Sequence, residues 1–341
     1  MASHRRPKQP SRARVTVLTT AAAAAVVLGG NAAHAAPAKP SKGEVKEKVD
    51  KLHEEAEQAT EKYNGAKEKQ KKLEKEIDAL QDNVARGQED LNELRDAIGM
   101  AAAAQYRSGT IDSSMQLFLS ADPDDYLDKA STLDQLSNQQ VESLAEIQDK
   151  QRELAQQRQE ASTKLDDLAE TREELGKKRK EVQAKLAEAQ KLLNSLTAAE
   201  RAEMAQEEAK AAQESASLAG GGGPAGSGFA ASAFAAAQTK IGVPYSYGAT
   251  GPNSFDCSGL TSWAYGEAGV HIPRTSQAQA NAGTRLSMSQ LKVGDLVIFY
   301  SDLHHVGLYA GNGQVLHAPR TGTNVRYESI NNMPFQFGVR I

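Results

Sequence analysis

The sequence predicts two structural parts: a long α-helical coiled-coil hairpin, then a small α+β domain in which a helix bearing the lone cysteine packs on an antiparallel sheet. Three observations carry this. From Val49 to Ile98 apolar residues recur at alternating steps of four and three. A glycine run, Gly220 to Gly223, then interrupts the chain. Beyond it the pattern changes to short β-branched and aromatic runs separated by turn residues.

Composition narrows the partners. The 341 residues are 39% hydrophobic but only 5% aromatic, which leaves little material for several large cores. Lysine and arginine number 40 against 44 acidic residues, a net charge of −4 that hides a basic start, an acidic middle and a nearly neutral end. No basic patch with interleaved aromatics follows the first segment, so nucleic acid is excluded as a partner. Residues 1–35 read as a secretory signal peptide: Arg5, Arg6, Lys8, Arg12 and Arg14, then an apolar run from Val15 to Leu28, then Ala33-His34-Ala35 before the cut. That run is too short to span a bilayer, and Pro7-Lys8 departs from a twin-arginine signal. The expected location is therefore outside the cell, at the wall or surface. One cysteine cannot form an intramolecular disulfide, which leaves Cys257 as a buried bystander, an intermolecular link or a reactive thiol.

Residues 42–214 form the expected hairpin. The first seam runs through Val49, Leu52, Ala56, Ala59, Tyr63, Ala66, Gln70, Leu73, Ile77, Leu80, Val84, Gly87, Leu91, Leu94 and Ile98. At the α-helical rise, Glu44 to Ala104 spans about 90 Å and needs a partner along its length. The second seam runs at seven-residue steps through Ile147, Leu154, Ala161, Leu168, Leu175, Val182, Ala189 and Leu196. Its alternate row mixes Leu144, Leu165, Leu186 and Leu193 with Arg158, Arg172 and Arg179. Between the rods, Gly109 and Pro123 break the helix, and Leu117, Phe118 and Tyr126 are expected near a capped tip.

A flexible linker, 215–228, leads to a domain at 229–341. There Phe234 to Ile241 reads as a helix. Asp256 is placed to cap a second helix, which puts Cys257 in its first turn, where partial positive charge favours the thiolate. Strand character follows at 295–300, 305–310, 314–318, 325–329 and 335–341. Side-chain alternation sets a condition on the turn at Gly311-Asn312-Gly313. A plain two-residue loop pairs Leu308 with His317 and splits His305 from His317, whereas a longer loop or a bulge sets Gly307 against His317 and brings both histidines to one face. His304 falls on the opposite face and reads as a surface residue.

A helix presenting a thiolate against a strand presenting a histidine is the papain-like arrangement. The run Phe255-Asp256-Cys257-Ser258-Gly259-Leu260, with His305-Val306-Gly307-Leu308-Tyr309 and His317-Ala318-Pro319, resembles the NlpC-type cell-wall cysteine peptidases over residues 230–341. The resemblance implies that Cys257 attacks, His305 accepts its proton and His317 orients His305. It also implies cleavage of the D-glutamyl-diaminopimelate bond of peptidoglycan stem peptides, with Tyr245, Asp256 and Ser258 binding substrate and Arg274 either lining the groove or held in a structural salt bridge. Tyr247 and Ala249 stand where the family usually has Trp and Gly. No cofactor is implied, and without a second cysteine or a short-spaced ligand pair no metal site is expected. The hairpin resembles the amino-terminal coiled coils of division-associated peptidoglycan hydrolases. That implies docking to an FtsX-like membrane division protein; the rod is read as a docking arm or as an autoinhibitor masking the cleft with the hairpin root at 45–56 or 185–196, against a plain spacer or dimerisation rod. Alternative functions are a cysteine amidase or acyltransferase on another wall substrate, and a non-catalytic wall-binding rod.

Overall fold

Helix α1 (Lys42–Arg107) begins at a capping box, in which the Glu44 amide donates to Ser41 Oγ at 3.3 Å and the Ser41 amide donates to Glu44 Oε2 at 2.8 Å. The computed structural model describes residues 40–107, 115, 123–218 and 228–341. The expected signal peptide, the tip at Leu117 and Phe118, the Tyr126 side chain and most of the linker lie outside the described residues. Helix α2 (Pro123–Ser195) returns antiparallel to α1. Lys185 pairs with Glu55 at 2.6 Å, Arg172 with Glu74 at 3.0 Å, Lys164 with Glu76 at 2.6 Å and Lys150 with Asp90 at 3.5 Å. Such half-exposed pairs contribute about 0–1 kcal/mol each, so they set register more than stability. The apolar seam does the holding. Val45, Val49, Leu73, Ile77 and Leu91 are buried against Ile147, Leu154, Leu168, Val182, Ala189 and Leu196.

The seven-residue row of α2 is the main contact row, joined by the buried Thr171 and the half-buried Leu192 and Leu193. Leu144 and Leu165, expected in the alternate core row, are 51% and 48% exposed, because the row interrupted by arginines lies at the margin of the interface. A second capping box, Thr197 with Glu200, opens α3 (Ala198–Leu218), which carries helix through 215–218 where a linker was expected.

The carboxy-terminal part begins with α4 (Gly228–Gln238), displaced toward the amino terminus from the expected 234–241. Its small apolar run extends the buried face back to Ala230, and residues 239–242 turn out of the helix with Gly242 at φ 87°. Helix α5 (Cys257–Glu267) and the short α6 (Ser276–Gln279) precede six strands. These are β1 (Thr284–Leu286), β2 (Leu296–Phe299), β3 (His305–Gly311), β4 (Gln314–His317), β5 (Arg326–Ser329) and β6 (Phe335–Arg340). They form one antiparallel sheet in the order β1-β6-β2-β3-β4-β5. Edge strand β1 has no clear signature in sequence, being only three residues long. Leu296, Ile298, Val306, Leu308 and Leu316 pack against Ala233 and Phe234 of α4 and Leu260, Ala264 and Tyr265 of α5. The other face holds Val297, Phe299 and Val315.

The β3–β4 turn meets the condition set by alternation. Asn312 and Gly313, at φ 51° and 68°, make a two-residue loop, and a bulge lies between Tyr309 and Gly311. Leu308 therefore pairs with Leu316, so Gly307 stands opposite His317 and both histidines share a face. A Cβ at Gly307 would meet Val315 Cγ2 at 2.4 Å and His317 Cβ at 3.0 Å. Gly307→Ala is expected to force β3 from β4 at a cost of about 1–3 kcal/mol, read as a fall of several degrees in Tm. An unchanged Tm would contradict this packing.

Candidate active site

Asp256 positions the site's centre. Its Oδ1 caps α5 by accepting from the Gly259 amide at 2.6 Å, while Oδ2 accepts from Arg274 Nη2 at 2.6 Å and the Gly248 amide at 3.0 Å. Arg274 Nη1 donates to Ser258 Oγ at 2.7 Å. Gln279 Nε2 donates to the carbonyls of Ser258 and Pro273, both at 2.9 Å, and so ties the first turn of α5 to the segment bearing Arg274. Cys257 is thereby fixed at the start of α5, 1% exposed, with its thiol 3.7 Å from the His304 carbonyl at the start of β3.

His305 and His317 meet as the register requires. His305 Nε2 is 2.7 Å from His317 Nδ1, with the rings nearly perpendicular, and His317 Nε2 is 3.2 Å from Glu328 Oε2. Arg326 holds the same carboxylate oxygen at 3.0 Å. Burial pushes the His317 pKa down despite Glu328. Burial also opposes ionisation of Glu328, but His317 and Arg326 outweigh it and hold that carboxyl well below the usual range. Sequence reasoning missed Glu328, although a signal existed: β5 sets Arg326 opposite His317, and alternation brings Glu328 to the same face.

Tyr245, Asp256, Cys257, Ser258, Arg274, His305 and His317, the seven residues singled out in the sequence, are thus brought into one cluster. His304 differs from expectation. It does lie off the His305 face, but it is 1% exposed, stacked on Tyr300 with ring centroids 4.2 Å apart and bonded through Nδ1 to Asp302. The loop at 300–303, with Tyr300 and Leu303 at positive φ, folds over it.

The larger surprise is what fills the cleft. Between His53 and Asn64, α1 is buried on two sides, one against α2 and the other against Cys257, Ser258 and His305. Ser258 Oγ donates to Glu61 Oε1 at 2.7 Å, the Ser276 amide donates to Glu61 Oε2 at 2.8 Å, and the Cys257 thiol lies 3.8 Å from Glu61 Oε1. Glu57 bonds to His305 Nδ1, and Asn64 Nδ2 donates to Asp256 Oδ2 at 3.0 Å. Tyr63 packs edge-on against Tyr247, and Asp50 lies 3.5 Å from Arg320. The hairpin root meets the domain within the expected 45–56, where Asp50 pairs with Arg320, but the contacts to Cys257 and His305 come from Glu57 and Glu61, just beyond that span. A polar i, i+4, i+7 stripe on a charged helix reads as a solvated face, which is why it escaped notice.

Those carboxylates reverse the expected thiol chemistry. Burial, then Glu57, Glu61 and Asp256, push the Cys257 pKa well up, so the residue is a protonated thiol despite its place at a helix start. Burial and the neighbouring Asp256 push Glu61 up to about 7. For His305, burial favours the neutral ring, but Glu57 outweighs it and the pKa lies above the ordinary value.

A cysteine at a helix start, a histidine on the adjoining strand and a polar residue holding that histidine define a papain-like cysteine-peptidase centre. Residues 242–339 match the family model described as NlpC/P60 family, and the carboxy-terminal domain belongs to that family. The chain is similar to a probable endopeptidase of Corynebacterium glutamicum, 58% identical over 105 residues, covering 31% of this chain and 50% of the relative. It is also similar to the probable endopeptidase p60 of Listeria monocytogenes, 48% identical over 99 residues, 28% of this chain and 20% of the relative. Among solved structures, the NlpC/p60 domain of peptidoglycan hydrolase SagA is 37% identical, covering 33% of this chain and 98% of that one, with a TM-score of 0.32. The matched segment therefore spans half or less of these two curated relatives, and the hairpin lies outside it.

The shifted groups give a pH dependence. Free of the cleft, Glu61 returns to about its usual 4.5; seated, it holds its proton up to about 7. A raised pKa contributes stability that is full below the lower value and lost as pH rises through the higher one, and the raised thiol and imidazole act in the same direction. Seating of α1 should weaken as pH rises from about 5 through 7. Energy transfer between dyes on α1 and on the sheet, followed in metal-free buffer, should fall over that range; a rise would contradict the assignment.

Proposed function

We propose that this chain is an exported peptidoglycan endopeptidase, made latent by its own hairpin, that hydrolyses the D-glutamyl-diaminopimelate bond of stem peptides. The observation that carries the reading is the Cys257 to Glu328 line closed by Glu57 and Glu61. With α1 withdrawn, His305 Nδ1 is released from Glu57 and can take the Cys257 proton. The thiolate then adds to the γ-glutamyl carbonyl, and the amides of the first turn of α5 face the developing oxyanion. His305 protonates the leaving amine, and water, deprotonated by His305, clears the thioester. His317 and Glu328 fix the ring throughout. The seat of Glu61, formed by Ser258 Oγ and the Ser276 amide with Arg274 behind, suits an acidic group, which supports a substrate rich in carboxylates. Tyr245, buried beside it, completes the wall.

The hairpin's distal end is the docking end in this reading. Met100, Tyr106, Leu127 and Val141 expose large apolar side chains there, which supports capture by an FtsX-like membrane protein that draws α1 from the cleft. Only a few kcal/mol need separate the closed and open states.

Incubation of the chain with purified muropeptides and mass analysis of the products tests the reaction. Cys257→Ala should abolish cleavage and His305→Ala nearly so, while His317→Ala should retain measurable activity, since an orienting residue contributes less than the base it orients. Retained cleavage in Cys257→Ala would sink the assignment. Glu57→Lys with Glu61→Lys places one cation against His305 and another near Arg274, and should raise the rate by an order of magnitude or more. A rate at or below that of the unaltered chain would show that the hairpin is not a brake.

A further inference from the structure

The closed cleft gathers more acids than it needs for a plug. Around Cys257 stand the carboxylates of Glu57, Glu61 and Asp256, faced among the described residues by Arg274 and His305. Arg274 is already committed to Asp256 and Ser258. Within this group, Glu57, Cys257 and His305 are all buried, and one carboxylate oxygen, the sulfur and one ring nitrogen lie within 4.8 Å of one another. They come from three separate elements, α1, α5 and β3.

From this juxtaposition we propose that the latent chain binds one zinc ion between Cys257 Sγ, His305 Nδ1 and Glu57, and that the ion locks α1 in the cleft. The inference rests on the seating of the hairpin described above. Thiolate, imidazole and carboxylate are the donors zinc takes, at about 2.3, 2.0 and 2.1 Å respectively. Those lengths need donors roughly 3.3–3.8 Å apart in a tetrahedron, so the Glu57–His305 contact must open by about 1 Å, a small side-chain movement. Charge balances in the exchange. The thiol proton and the proton shared by Glu57 and His305 leave to solvent as one divalent ion enters. The next donor is Glu61, whose Oε1 is 3.8 Å from the sulfur.

Two further features suit an ion. A liganding imidazole is oriented through its other nitrogen by an outer partner, and His305 Nε2 is held by His317, itself held by Glu328. A cavity of about 940 Å³ between α1, α3 and the β4–β5 edge reaches both Glu57 and His305, and gives an ion a path in without displacing the helix. The site is a property of the closed state alone, because withdrawing α1 removes Glu57. Zinc therefore binds closed chains and shifts the population toward them.

The test is metal binding by the chain itself, using zinc alone with mass-spectrometric metal counting, and cobalt for its sulfur-to-metal absorption. One ion per chain is expected, with a thiolate–cobalt band that Cys257→Ala abolishes. Glu57→Gln should weaken zinc binding at least tenfold. Glu54→Gln, a neighbouring carboxylate on the same cavity wall, should bind as the unaltered chain does, and circular dichroism checks that every variant keeps its helices. Absence of bound zinc at micromolar metal, or equal binding by Glu57→Gln, would overturn the proposal. Neither result depends on cleavage: a chain that binds zinc but cuts no muropeptide keeps this site and loses the proposed reaction, and the converse holds too.

Discussion

Glu61 seated against Cys257 is the interaction on which the rest of the closed structure depends. A carboxylate buried in a cleft must find donors, and it finds the Ser258 hydroxyl and the Ser276 amide, while Glu57 occupies His305 Nδ1. Both acids lie on one stretch of α1, and the opposite side of that stretch is held by α2. The seam of the hairpin fixes the height at which Glu57, Glu61 and Asn64 reach the domain. Further links, from Asp50 to Arg320 and from α3 through Glu208 to Arg320 and Arg326, extend the contact beyond the cleft.

Opposing demands meet at Cys257. A helix start, a capping aspartate and a nearby histidine are what a reactive thiolate needs, yet in the closed chain they surround a protonated thiol. Burial and three neighbouring carboxylates outweigh the partial charge of one helix end, which is worth at most about 2 kcal/mol even when partly buried. In the proposed reaction the same residues serve both states, and the presence of α1 decides between them. That makes the pKa values of the cleft properties of the assembly rather than of the domain.

Much of this was legible in sequence. The heptad spacing gave the two rods, and the Asp-Cys-Ser-Gly run with its capping aspartate gave the helix start. Parity at the Gly311 turn demanded a longer loop or a bulge, and the structure has the bulge. What was not legible depends on long-range pairing. Glu328 joins the histidines only because β5 lies beside β4 in one register. Glu57 and Glu61 look like any charged helix face until the fold brings a cleft against them. His304 is buried by a loop with two non-glycine residues at positive φ, a conformation that local sequence rarely announces.

Because Cys257 is the chain's lone cysteine, its alkylation by a small thiol reagent at neutral pH reports the state of the cleft without any assumption about substrate. A thiol held protonated behind Glu57 and Glu61 should react more slowly than the same cysteine in the unfolded chain, and should speed up sharply once Glu57→Lys and Glu61→Lys drive α1 out. Rapid, thiolate-like alkylation of the unaltered chain would contradict a closed cleft.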